Sequence, residues 1–119
     1  MIKSYAFTVY PVLDMARARR FYERVLGLKV SKSFGEQWIE YHLNDNCFAI
    51  TDMGGEHFKP SPNAGGSIAF EVDDLDAEVA KAKEGGARVK IDTFETPVCR
   101  SAILIDPEGN PFTLHKRKD

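Results

Sequence analysis

Long hydrophobic runs are missing from this chain of 119 residues: the longest, such as Ala102-Ile103-Leu104-Ile105, are strand-length and far too short to cross a bilayer. The opening Met1-Ile2-Lys3-Ser4-Tyr5 carries no apolar signal-type core, so a cytoplasmic chain is expected, with no membrane contact. Cysteine is scarce. Cys47 and Cys99 stand in strand-like patterns without a Cys-x-x-Cys spacing, which argues against a disulfide and for two small buried side chains. Net charge is also small, −2, so nothing pulls the chain toward nucleic acid. The one basic run, Lys116-Arg117-Lys118, reads as a solvated tail or a weak anion contact. What is present, 43% hydrophobic and 29% charged residues, is the balance of a globular domain of ordinary size.

The chain repeats itself. Ala6-Phe7-Thr8-Val9-Tyr10-Pro11-Val12-Leu13-Asp14 is answered 60 residues later by Gly66-Ser67-Ile68-Ala69-Phe70-Glu71-Val72-Asp73-Asp74. Each is a strand ending in an aspartate suited to cap a helix. Helical spacing follows over 15–26, through Met15, Ala18, Phe21, Tyr22 and Val25, until Gly27, and over 75–84, through Leu75, Val79 and Ala82, until Gly85-Gly86. Three strand patterns close each half, near 29–34, 37–43 and 47–52, then near 88–94, 99–105 and 112–116. Asn44-Asp45-Asn46 and Asp106-Pro107-Glu108-Gly109-Asn110 are matching turns. An α+β fold of two βαβββ modules is expected, about 1–53 and 66–119, joined by a linker over 54–65.

Strand alternation assigns two faces. Ile68, Phe70 and Val72 pack on a helix, as do Phe112 and Leu114, and Ile39, Tyr41, Leu43, Phe48 and Ile50 in the first half. Ser101, Ile103 and Ile105 are assigned to the same side, leaving Arg100, Ala102 and Leu104 opposite. Curved mixed sheets with helices on one side leave a concave cleft. On it fall Arg100, Glu71, His115, Thr113, Ser67, Trp38, Glu40 and His42, with Cys47, Ala49 and Thr51, and the apolar lining of Tyr5, Phe7 and Val9.

Three motifs then resemble the vicinal oxygen chelate superfamily, which contains glyoxalase I, extradiol dioxygenases, fosfomycin resistance enzymes and bleomycin-binding proteins. They are Asp14-Met15-Ala16-Arg17-Ala18-Arg19-Arg20-Phe21-Tyr22 with Leu26-Gly27-Leu28, the second entry Ala69-Phe70-Glu71-Val72-Asp73-Asp74, and the turn Asp106 to Asn110. The resemblance covers nearly the whole chain. It implies the two-module fold, a homodimer that completes the cups, and, in catalytic members, one divalent metal on four inward His, Gln or Glu side chains. Here those positions hold Phe7, Ala49, Ser67 and Thr113. Two offer no donor and two offer weak hydroxyls, so neither metal nor cofactor is expected.

Two functions stay open. One is a metal-free protein binding a small organic ligand in an apolar cleft, with Arg100 as anchor to an anion, Trp38 stacking on a flat guest, and Phe7, Tyr5, Thr113, Ser67 and His42 lining the site. The other is an enzyme of lyase, isomerase or dioxygenase type. It would use non-standard metal ligands, for which Glu40 and His42 offer a fragment, or acid–base chemistry by His115 with Arg100 and Glu71. Structural roles compete with each: Arg100 pairing with Glu71, His115 as a partly exposed structural histidine, Trp38 in interface packing, and His57 as a polar loop residue rather than part of a lid.

Overall fold

In the computed structural model, which describes residues 1–119, the chain runs β1 (Thr8–Pro11), α1 (Met15–Arg19), β2 (Val30–Phe34), β3 (Trp38–Leu43), β4 (Asn46–Thr51), β5 (Ile68–Glu71), α2 (Leu75–Glu84), β6 (Arg88–Glu95), β7 (Cys99–Ile105) and β8 (Pro111–Arg117). Two four-stranded mixed sheets result, ordered β1-β4-β3-β2 and β5-β8-β7-β6. The first strand of each pairs parallel with the last, and the rest are antiparallel hairpins. The repeat is kept down to single bonds. Val12 N–H donates to Thr51 O at 2.9 Å and Val72 N–H to His115 O at 2.9 Å.

Both helices start as their aspartates dictate: Asp14 accepts from Arg17 N–H (3.0 Å) and Asp74 from Ala77 N–H (3.1 Å). The first helix departs from plain α geometry. After Arg19 it continues over Arg20–Val25 as a π turn, closed by Leu26 N–H to Phe21 O at 2.9 Å. Gly27 ends it at φ +80, a left-handed conformation that favours glycine. The wider turn seats Phe21 and Tyr22, both buried, between the sheets: Tyr22 meets Phe48 (centroids 5.1 Å) and Phe21 meets Phe112 (5.6 Å). Phe48 in turn meets Phe70 (5.7 Å), so the helix-side faces of both sheets share one core. The linker carries a single 3-10 turn, Gly55–His57.

The turn Asp106 to Asn110 bonds the halves together. Buried Glu108 accepts from the N–H groups of Leu13 (2.6 Å) and Asp14 (2.8 Å) and pairs with Arg17. Asn110 donates to Pro11 O (2.7 Å), and Tyr22 donates to Asp106. Tyr10 donates to Pro111 O (2.8 Å) and accepts from Ile68 N–H (2.6 Å). Burial lifts the Tyr10 phenol to about 12 and raises the Asp106 carboxyl.

One strand assignment is corrected. In β7 it is Arg100, Ala102 and Leu104 that face the helices, because Ala102 and Leu104 pair with Leu114 and Phe112, while Ser101 and Ile103 pair with His115 and Thr113. Both phases of this strand are apolar, so alternation alone does not choose between them; pairing with β8 does. Ala49 and Thr51, although on the open face, are buried. Ala49 lies between Val9 and Glu40 in register, a short methyl under longer neighbours.

Removing the Glu108 carboxylate should leave two part-buried N–H groups and an arginine unpaired. Glu108→Ala is expected to cost ~3 kcal/mol in urea unfolding, against within ~0.5 kcal/mol for Ala at the exposed Glu84 of α2; equal costs would contradict this role.

Candidate functional site

Because both helix-side faces turn onto the shared core, the two open faces look outward on their own sheets. No hydrogen bond or aromatic contact joins the open-face residues of one sheet to those of the other. The residues expected in one cleft therefore divide into two groups within a chain.

On the first sheet, Phe7 stands edge-on to Trp38 (centroids 5.3 Å, interplanar 90°), with Phe7 45% exposed. Phe34, paired with Trp38, extends the aromatic surface. Trp38 Nε1–H donates to Glu40 at 2.8 Å, and His42 Nε2 lies 3.8 Å from the other oxygen of the same carboxylate. Cys47 is opposite His42 and half-buried rather than buried. Its thiol is held above its ordinary value by desolvation first and by Glu40 second.

On the second sheet, His115 Nδ1 and Glu71 Oε1 are 2.5 Å apart, and Glu71 also accepts from Arg117 N–H at 2.7 Å. These two bonds lower the Glu71 carboxyl, and the pairing raises His115. Cys99, buried nearby, contacts Thr96 Oγ1 (3.2 Å) and Ser101 Oγ (3.6 Å), and these hydroxyls with His115 lower its thiol. Thr113, Ile103 and Ile91 continue the face beside this pair. The basic tail is partly tied down: Lys118 Nζ donates to Glu95 (2.7 Å) and to Thr96 O (3.0 Å).

Other expected site residues lie elsewhere. Arg100 is on the helix side of β7, held by Asp76 of α2 (3.3 Å) and Glu95 (3.8 Å), and it does not pair with Glu71. Ser67 is exposed just before β5. Tyr5 bonds Thr8 and, with Glu71, lines a groove of about 690 Å³ at the seam of the sheets. That groove has a floor of Phe48, Ile68, Phe70 and Leu114 beneath the acidic Asp73, Asp74 and Glu78. Sequence reasoning missed it, because no local pattern says which two sheet edges will meet.

The donor set decides the fit of the ion implied by the resemblance. A phenyl ring, a methyl and two hydroxyls, at Phe7, Ala49, Ser67 and Thr113, do not make a transition-metal site.

A repeated βαβββ unit, closing two four-stranded mixed sheets with one open face each, defines the class of fold. The chain belongs to the Glyoxalase/Bleomycin resistance protein/Dioxygenase superfamily, whose sequence profile matches residues 4–114. Among curated proteins it is similar to the anthracycline biosynthesis protein DauV of Streptomyces sp. (strain C5), 33% identical over 85% of this chain and 37% of that protein. The chain thus spans little over a third of that relative. Among solved structures, TnmS3, an antibiotic binding protein from Streptomyces sp. CB03234, superposes with TM-score 0.76 at 24% identity over 98% of each chain. A lactoylglutathione lyase from Agrobacterium tumefaciens does so with TM-score 0.71 at 18% identity over 97% of this chain and 94% of that one. Both share the fold. No helix is long and apolar enough to cross a membrane.

The Glu71–His115 pair gives a pH signature. Raised His115 contributes stability that is fully present below its ordinary 6.5 and lost as pH rises through its folded value. Lowered Glu71 contributes stability present above its ordinary 4.5 and lost as pH falls through its folded value. The pair is therefore fully formed between those two values. NMR titration should find the His115 imidazole above 6.5, returning toward it in Glu71→Gln; an unmoved midpoint in the variant would refute the pairing.

Proposed function

We propose that this chain binds a small planar organic molecule, and that two copies associate so that the open first sheet of one faces the open second sheet of the other. The observation that carries the reading is the edge-to-face pair of exposed Phe7 with half-buried Trp38 on an open sheet face. Two rings held at right angles offer one flat wall and one edge to an aromatic guest, and polar Glu40 and His42 beside them fix its orientation. Apolar side chains left bare on both faces, Phe34 at 61% exposure and Ile91 at 47%, support a second copy as their cover. Arg100, tied to Asp76 behind the sheet, is not part of this site.

DauV, by its name a protein of anthracycline biosynthesis, and TnmS3, by its name an antibiotic binder, support a planar natural product as the class of guest. A second reading, an acid–base enzyme of lyase or isomerase type, is favoured by the 2.5 Å contact of His115 with Glu71. In that arrangement the carboxylate orients the imidazole and raises its basicity. The two readings differ in whether the guest leaves unchanged.

Trp38 is the chain's one tryptophan, so its fluorescence reports this face directly. Titration with an anthracycline should give saturable quenching, and Trp38→Ala should weaken binding, read by thermal shift, by about ten-fold, ~1.4 kcal/mol. Light scattering should give twice 13.4 kDa. Absence of quenching, with a monomeric mass at micromolar concentration, would refute the reading, and recovery of a chemically altered guest would favour the enzyme.

A further inference from the structure

The ligating atoms of Glu40, His42 and Cys47 all lie within 4.8 Å of one another. Local structure explains the convergence. Glu40 and His42 are two apart on β3 and so share a face. The turn at Asn44, with φ 56, folds β4 back so that Cys47 falls opposite His42. Three donors are thus fixed by one hairpin inside a four-stranded sheet, on rigid elements rather than on a loop.

The chemistry of the set is selective. A thiol, an imidazole and a carboxylate are the donors of zinc and of neighbouring borderline divalent ions, whereas magnesium or calcium would find only one oxygen-bearing side chain. Donors at zinc bonding distances stand ~3.5 Å apart in a tetrahedron, which side-chain torsions can reach from the present spacing. The carboxylate already has an outer partner: the Trp38 indole N–H holds one Glu40 oxygen at 2.8 Å, as second-layer hydrogen bonds hold ligating groups in metal sites. Lys32, opposite Glu40 on β2, is the competing positive charge. None of the three donors is among Phe7, Ala49, Ser67 and Thr113.

We propose that Glu40, His42 and Cys47 form a binding site for zinc or a similar thiophilic divalent cation, with the fourth tetrahedral position open to an oxygen atom of water or of a guest on the same face. The site stands on the hairpin geometry and does not depend on the guest-binding reading.

The test uses the full chain stripped with EDTA and titrated with zinc against a chelating indicator. One ion per chain is expected, at micromolar affinity or tighter. Cobalt in place of zinc should give a thiolate-to-cobalt charge-transfer band that is lost in Cys47→Ser and kept in Cys99→Ser. His42→Ala and Glu40→Gln should each weaken zinc binding at least about ten-fold, and Lys32→Met should tighten it. The proposal is overturned by the absence of one-to-one zinc binding, or by a cobalt band that survives Cys47→Ser. Where a variant does not fold, the unaltered chain decides: its melting temperature must rise with zinc and fall back with EDTA, and no rise overturns the site. Trp38 quenching by an anthracycline in EDTA separates the two proposals. Quenching without zinc binding sinks the ion site alone, and zinc binding by a monomeric chain without quenching sinks the guest reading alone.

Discussion

The buried turn from Asp106 to Asn110 carries the polar side of the seam between the two sheets, and the rest of the structure depends on it. Burying a carboxylate without partners costs several kcal/mol, so Glu108 is tolerable there only because two backbone N–H groups and Arg17 meet it. Those same N–H groups belong to the entry of the first helix, where no helical partner exists. Each side thus satisfies what the other leaves open. Asp106 and Asn110 repeat the arrangement with Tyr22 and Pro11, and Gly109, at φ +103, gives the turn a conformation other residues adopt only under strain.

Fixing the seam fixes where chemistry can happen. With both helix-side faces committed to one core, each sheet offers its other face to the outside. The first holds an aromatic corner with Glu40, His42 and Cys47, and the second holds an ionic pair, Glu71 with His115, beside a sheltered thiol. Neither face alone encloses a guest. A cup needs a second wall, and the bare Phe34, Ile91 and Phe94 mark where that wall would close.

How much of this was legible follows from how local each signal is. The aspartate caps, the glycine stop at Gly27 and the turn at Asp106 act within a few residues, and the sequence displays them openly. The helix is legible as a helix but its π turn is not, because apolar spacing through Val25 suits either geometry. The phase of β7 is not legible, because Ala102 and Leu104 are as apolar as Ile103 and Ile105, and alternation alone therefore puts Arg100 on the wrong side. Only its register with β8, a contact across a turn, resolves this. Cys47 was separable from its neighbours by counting outward from Asn44-Asp45, a count that places it opposite His42. The seam groove has no such local mark.

The seam has a further meaning for chain connectivity. None of its hydrogen bonds comes from the linker over 54–65: they run from β1, the first helix and its entry to the distant turn and to β5. The peptide joining the halves therefore acts as a tether that sets their effective concentration, while the interface itself sets their pose. A chain of this design keeps the docking of its halves in the seam's side chains and turn rather than in the length of peptide between them.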